Sequence, residues 1–406
     1  MSDSVETTPS VLERFGLTPV INANGAASRL GGNRMCQAAV EAMIDASQRV
    51  VPIQELQGRA SQTIARVTGA EAGCVASGAA ACLFLAAAAC MVGDDIAAMD
   101  RLPDTTGLRN EIIVHRAHRT PYDHVVRAVG AKLVEVGYLG MPSTPGTRGW
   151  EVESAITERT CALFFVTPLS DDVLPLPAFA EIAHANGLPV IVDAAGACPP
   201  AENLTRFIDE GADLVAYSGG KGIGGPAASG FLAGRRDLVL SATLQQQDMY
   251  IHPAMWAGPF GDAGPAFSAE PPRQGVGRML KVGREEIAGL IAAVEDFVQR
   301  DHAAEDARAR AIADEIADRL KAIQGATVSL AGSEGKRQVV IDFSSNGGPS
   351  RAAEVVRNLR AGSPRVFCHD GWVHEGRMIV QLGTVRDEEV DALVERIIAE
   401  CDGEPG

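Results

Sequence analysis

The stretch Ala216-Tyr217-Ser218-Gly219-Gly220-Lys221-Gly222-Ile223-Gly224-Gly225-Pro226 holds one lysine among five glycines, with a serine three residues before the lysine. An apolar run, Ala212-Asp213-Leu214-Val215-Ala216-Tyr217, leads into it and reads as a strand. Glycines let the backbone take positive φ and come close to a ligand. A lysine at such a turn can carry its amine into a cofactor pocket, where desolvation and nearby cations make it a nucleophile. The same composition also suits a plain glycine-rich turn with a solvated lysine.

A second stretch bears on that choice. Leu188-Pro189-Val190-Ile191-Val192-Asp193-Ala194-Ala195 is a short buried-strand signal with an aspartate at its carboxyl end. Open α/β sheets bind ligands beyond the carboxyl ends of their strands. Asp193 lies one strand-and-helix unit before Lys221, so both side chains fall at one sheet edge. A lysine and a carboxylate there are what pyridoxal phosphate requires. The lysine holds the aldehyde as a Schiff base, and the carboxylate keeps the ring nitrogen protonated so that the ring withdraws electrons.

With Val20-Ile21-Asn22-Ala23-Asn24-Gly25, Thr68-Gly69-Ala70-Glu71-Ala72, the Asp193 strand, Ser218-Gly219-Gly220-Lys221 and Gly277-Arg278-Met279-Leu280-Lys281-Val282-Gly283, the chain resembles a known family. It is similar to the fold-type I, aspartate-aminotransferase-like pyridoxal-phosphate enzymes. Within them it resembles the branch of L-seryl-tRNA(Sec) selenium transferase and D-glucosaminate-6-phosphate ammonia-lyase. The resemblance implies Ser218, Lys221 and Gly225 at the cofactor, with Asp193 facing the ring nitrogen. It places the cofactor phosphate at Ser77-Gly78-Ala79, where a small-residue turn opens a helix. A helix amino terminus offers free N–H groups and a favourable dipole to an anion; an ordinary N-cap reads the same way. A flat side chain on the ring is implied near His115-Arg116-Ala117-His118-Arg119, His118 first and His115 second. Thr167 or Ser170 falls beside the ring, or caps the next turn.

Strands at Glu71–Ala76, Glu111–Val114, 131–136 and 162–166 alternate with helical patterns at 36–47, 54–67, 79–92 and 177–186. This alternation predicts a mostly parallel sheet covered by helices on both faces, and the resemblance implies that it is of the seven-stranded type. The resemblance implies that residues 228–234 return antiparallel. Residues 284–323 read as one long helix with a possible break, followed by a small α+β domain. The expected division is an arm at 1–45, a cofactor domain at 46–285 and a carboxyl-terminal domain at 286–406. Residues 245–275 read as a long loop, and loops of that length are usually functional. In the family such a segment reaches the partner's site, which implies a homodimer or higher oligomer, with Tyr250, His252 and Trp256 at the contact. Asn24, Arg29, Arg278 and Lys281 each stand open between a ligand role and a structural one. His369-Asp370-Gly371-Trp372-Val373-His374 reads as a hairpin rather than a metal site.

A net charge of −16 argues against a nucleic-acid surface, since neutralising phosphates needs clustered Lys and Arg. Met1 to Ser10 has neither the basic nor the apolar region of a signal peptide. Ala79–Val92 is too short to span a bilayer. The eight cysteines show no C-x-x-C spacing, and a cytoplasmic protein with reduced thiols is expected.

The expected chemistry is β-elimination from an amino acid or amino sugar acid to keto acid and ammonia, with Lys221 as the base that removes the α-proton. Racemisation, epimerisation or transamination share the same carbanion. A non-catalytic binding protein is the reading from another class, and retention of Lys221 and Asp193 weighs against it. Relatives commonly carry an arginine in the segment equivalent to Val380–Val385, where it grips a substrate carboxylate. Here no arginine appears before Arg386.

Overall fold

The computed structural model describes residues 10–139, 146–167, 170, 172–261, 271–332 and 336–402. Two compact units emerge: the described residues of Met1–Gly32 with Asp301–Gly406, and Asn33–Arg300. Among the described residues the strands are β1 Ile21–Ala23, β2 Ala72–Ala76, β3 Glu111–His115, β4 Lys132–Val136, β5 Thr160–Val166, β6 Val190–Asp193, β7 Leu214–Ser218 and β8 Gly230–Gly234. Four more follow: β9 Thr327–Ala331, β10 Gln338–Asp342, β11 Val366–Cys368 and β12 Arg377–Gln381.

The larger unit is built on the expected seven-stranded sheet, in the order β2-β8-β7-β6-β5-β3-β4. Strands β3 to β7 pair in parallel, and β8 runs antiparallel between β7 and β2. Side chains alternate across it, as the pleat requires. Ile112, Val114, Phe164, Ile191 and Ala216 lie on one face, against helices Ala79–Val92 and Arg236–Gln246. Ile113, Leu163, Val192, Val215 and Tyr217 lie on the other, under helices Ile53–Thr68, Leu176–Ala185 and Arg284–Gln299. Helix Ala79–Val92 is apolar all round and almost wholly buried. Alanine is the best helix former, and its small side chain lets the helix settle close on the sheet. Tyr217 is buried without cost to its hydroxyl, which donates to the Asn203 and Leu204 carbonyls at 3.0 Å.

The outer edge of β2 is closed by side chains rather than by a strand. Gln57 donates to the Val75 carbonyl at 2.8 Å and accepts from the Val75 N–H at 3.0 Å. Ser61 accepts from the Gly73 N–H at 3.0 Å. The opposite edge strand, β4, exposes Lys132 and Glu135.

The smaller unit joins the chain's beginning to its end. Strand β1 pairs in parallel with β11, while β9, β10 and β12 form an antiparallel sheet. Residues 10–32 therefore belong with the carboxyl-terminal fold rather than forming a separate arm to residue 45. The second division also differs from the expected one. Helix Arg284–Gln299 buries Ile287, Leu290 and Val294 in the core of the larger unit, so the chain changes unit at 300/301, where the long helix breaks. The expected loop at 245–275 starts later, since Gln245 and Gln246 end the helix Arg236–Gln246 and are buried. Met249 and Phe260 also enter the core, and residues 262–270 lie outside the described residues. Among the described residues no helix is long and apolar enough to cross a membrane.

Candidate active site

At the carboxyl end of β6, Asp193 is 8% exposed. By alternation it shares the face of Ile191, the face covered by helix Ala79–Val92. Its Oδ1 accepts from the Ala195 N–H at 3.0 Å, and its carbonyl accepts from the Thr167 N–H at 2.9 Å. Oδ2 has no hydrogen-bond partner among the described residues and is free to face a ligand. Burial raises the carboxyl above its ordinary value, while the Ala195 N–H and the charge of Lys221 pull it back down. Lys221 therefore acts on Asp193 through space, as one sheet edge demands.

Lys221 follows β7 in a tight turn over Gly219–Ile223, at φ −100° and ψ −130° inside otherwise helical backbone. The turn needs its glycines for close approach. A Cβ on Gly220 would stand 2.5 Å from the Ala227 Cα. The carbonyls of the turn are tied from outside. Gly220 and Lys221 accept from Asn33, through its N–H at 2.9 Å and its Nδ2 at 3.3 Å. Gly222 and Ile223 accept from Arg300 Nη2 at 3.3 and 2.8 Å. Neither Asn33 nor Arg300 stands out in the sequence, because neither belongs to a motif and each is brought to the lysine by tertiary packing.

Ser77-Gly78-Ala79 opens helix Ala79–Val92 at the end of β2. Gly78 has φ +116°, which a residue with a Cβ rarely takes, and its Cβ position looks into open space. The first turn carries no acidic residue. Free N–H groups, a positive dipole end and open space make an anion cradle. Ser218 ends β7 half-buried, on the same face as Asp193 by alternation, and its hydroxyl bonds no described residue. A phosphate cradle, a buried carboxylate with one free oxygen and a lysine at one sheet end fit pyridoxal phosphate.

His118 is 1% exposed and packs edge-on against Phe165 and His115. Its Nδ1 accepts from the Val166 N–H at 3.2 Å, which leaves the proton on Nε2, 3.3 Å from the Ser170 carbonyl. In this packing the ring has no open face for a pyridine to lie on. His118 ties the end of β5 instead. His115 lies on the opposite sheet face, against Phe179, with Nδ1 3.1 Å from Thr147 Oγ1. Burial and the neighbouring His118 lower its pKa to about 3. Gly225 turns toward Leu290 and Ala293, and its N–H closes the turn on the Gly219 carbonyl at 2.8 Å. Thr167 is half-buried beside Asp193. Arg278 lies 3.9 Å from Asp248, Lys281 is exposed, and Arg29 pairs with Asp370 at 2.6 Å. Asn24 is 5% exposed, and its Nδ2 is unpartnered among the described residues.

The chain as a whole is similar to known proteins. The profile of the L-seryl-tRNA selenium transferase family (SelA) matches residues 20–250, more than half of the chain. The chain is 31% identical to a 5'-C-glycyluridine monooxygenase-decarboxylase of a Streptomyces species, over 95% of this chain and 90% of that protein. It is 29% identical to a D-glucosaminate-6-phosphate ammonia lyase of Salmonella typhimurium, over 96% and 97%. A solved structure of D-glucosaminate-6-phosphate ammonia-lyase superposes with a TM-score of 0.78 at 28% identity, covering 98% of this chain and 99% of that one. These likenesses support a pyridoxal-phosphate-dependent lyase. The chain belongs to the L-seryl-tRNA selenium transferase family of fold-type I pyridoxal-phosphate enzymes.

Proposed function

We propose that this chain eliminates a β-substituent from an amino acid or amino sugar acid, releasing a keto acid and ammonia. The observation that carries the reading is the placement of Asp193, Lys221 and the Gly78 cradle at one sheet end, in a chain that parallels an ammonia lyase over nearly its full length. When bound, pyridoxal phosphate supplies the electron withdrawal that lets the α-proton leave. Lys221 would hold the cofactor through its aldehyde before substrate arrives, and its amine, once free, would take the α-proton at Nζ. Asp193 Oδ2 would hold the proton of the ring nitrogen. The N–H groups after Gly78 would hold the phosphate, and Ser218, on the same face as Asp193, would bond it. Loss of the β-group would leave an enamine, and water would cleave the C=N bond of its imine tautomer to give the keto acid and ammonia.

The test is to load the protein with pyridoxal phosphate, reduce with borohydride, map the labelled peptide, and screen amino acids and amino sugar acids for keto-acid release. The Streptomyces relative favours one second reading, because it is as similar as the ammonia lyase. Oxygen consumption with carbon dioxide release, and no ammonia, would replace elimination by that chemistry.

The working form is a cytoplasmic homodimer with shared sites. Its support is the outward apolar side chains of the larger unit, with Tyr250 96% exposed and Val50 88%, alongside Met255 and Met279. Trp256 does not join them, since it packs partly against its own core.

A further inference from the structure

We infer that Asn33 and Arg300 are positioning residues for Lys221, holding its turn by the carbonyl oxygens on both sides of it. The inference rests on Lys221 being the cofactor lysine. Four successive carbonyls, from Gly220 to Ile223, accept from these two residues, at distances of 2.9, 3.3, 3.3 and 2.8 Å. The Gly224 carbonyl is held as well, by the Cys36 N–H at 2.8 Å.

The need for such anchors follows from the sequence of the turn. Glycines give it the close approach it requires, but they also give it the largest conformational entropy to lose. A base must be held within about 0.5 Å of its productive geometry for efficient transfer. Rigidity therefore has to come from donors outside the turn. Arg300 is itself well fixed. Its Nε lies 3.3 Å from Asp296 Oδ2, and its guanidinium sits 4.7 Å from the centre of the Phe297 ring. It caps the carboxyl end of helix Arg284–Gln299, where a cation suits the helix dipole. The two N–H bonds of Nη2 lie in the fixed plane of the guanidinium and serve one carbonyl each, which a lysine ammonium on a flexible stem does less well.

The two anchors are also the first and last residues of the larger unit. The chain enters that unit at Asn33 and leaves it at Arg300, and both crossings are bonded to the lysine turn.

The test uses the full chain. Arg300→Ala removes both guanidinium bonds to the turn along with the pairing to Asp296, Arg300→Lys keeps the charge without the planar guanidinium, and Asn33→Ala removes the Nδ2 bond to the turn together with the bond its Oδ1 accepts from the Arg34 N–H. Apoenzyme is mixed with pyridoxal phosphate, and the visible band of the lysine-linked cofactor is followed in time and against pH. For Arg300→Ala the band should form at least about fivefold more slowly, with its pH midpoint moved by about half a unit or more. With a turned-over substrate, kcat should fall about tenfold while KM changes less than about threefold. Arg300→Lys should recover part of each effect. A folded Arg300→Ala protein with the wild-type rate and midpoint overturns the inference. If that variant does not fold, Asn33→Ala decides, with a smaller shift expected and an unmoved band overturning it. Borohydride labelling of another lysine would instead remove the Lys221 reading, so the two failures are distinguishable.

Discussion

The charge of Lys221 and the burial of Asp193 pull one carboxyl in opposite directions, and burial is the stronger. A carboxyl raised on folding favours the native state while protonated. That stability is present below the ordinary aspartate value of 3.8 and is lost as pH rises through the higher folded value. The apoenzyme should therefore carry a penalty at neutral pH that a protonated ring nitrogen offsets. Asp193→Asn should remove that pH dependence from thermal unfolding of the apoenzyme. It should also lower turnover on the order of 10²-fold or more, with little loss of stability. Unchanged turnover would refute the role of Asp193.

Lys221→Ala should give a folded protein that binds the cofactor without the lysine-linked visible band. Circular dichroism checks the fold, and borohydride reduction followed by peptide mapping checks the lysine. Retention of the band, or label on another lysine, sinks the assignment.

Gly78→Ala places a Cβ in the open space over the helix amino terminus, at φ +116°. Backbone strain of this kind costs about 1–3 kcal/mol. The melting temperature should fall accordingly, and cofactor affinity should fall further, because the added methyl occupies the phosphate cradle. Equilibrium titration of apoenzyme with pyridoxal phosphate measures the second effect. Affinity that merely tracks stability would move the phosphate elsewhere.

His115 is buried and neutral, with its pKa lowered from 6.5 to about 3. The unfolded chain takes a proton there that the folded chain refuses. Its contribution to stability is thus present above pH 6.5 and lost as pH falls toward about 3, at no more than about 1.4 kcal/mol per pH unit. His115→Asn should lower stability at neutral pH and flatten this acid limb in urea unfolding. An acid limb as steep as that of the parent protein would show that other groups control it.

The shared site has its own test. Inactive Lys221→Ala protein, mixed with an inactive variant of the 248–261 segment and allowed to exchange subunits, should regain part of the activity. No recovery after proven exchange would leave that segment serving its own subunit.

Much of this architecture was legible because it rests on local signals. The apolar runs ending in Asp193 and Ser218, the glycines around Lys221 and the all-apolar helix after Gly78 each show their surroundings in their own composition. What was not legible depends on contacts distant in sequence. The alternation that turns His115 away from Asp193 becomes visible only once β3 is known to extend through residue 115. The packing that closes over His118 comes from Phe165, on a neighbouring strand. The join of β1 to β11 places the first described residues in the smaller unit, and nothing within Ile21–Ala23 announces its partner. Asn33 and Arg300 act on Lys221 from opposite ends of a unit, a relation no local window contains.

The side chains of Gln57 and Ser61 have a consequence for how this chain can fail. An open edge strand invites pairing with another copy, the first step toward fibrous aggregation. Gln57 already occupies the N–H and carbonyl of Val75, and Ser61 the N–H of Gly73. A foreign strand would have to displace them to dock on β2. On the far side it would meet the charges of Lys132 and Glu135. The sheet is thus closed to growth in either direction, so crowded molecules of this chain can meet through helices and loops without seeding a common sheet.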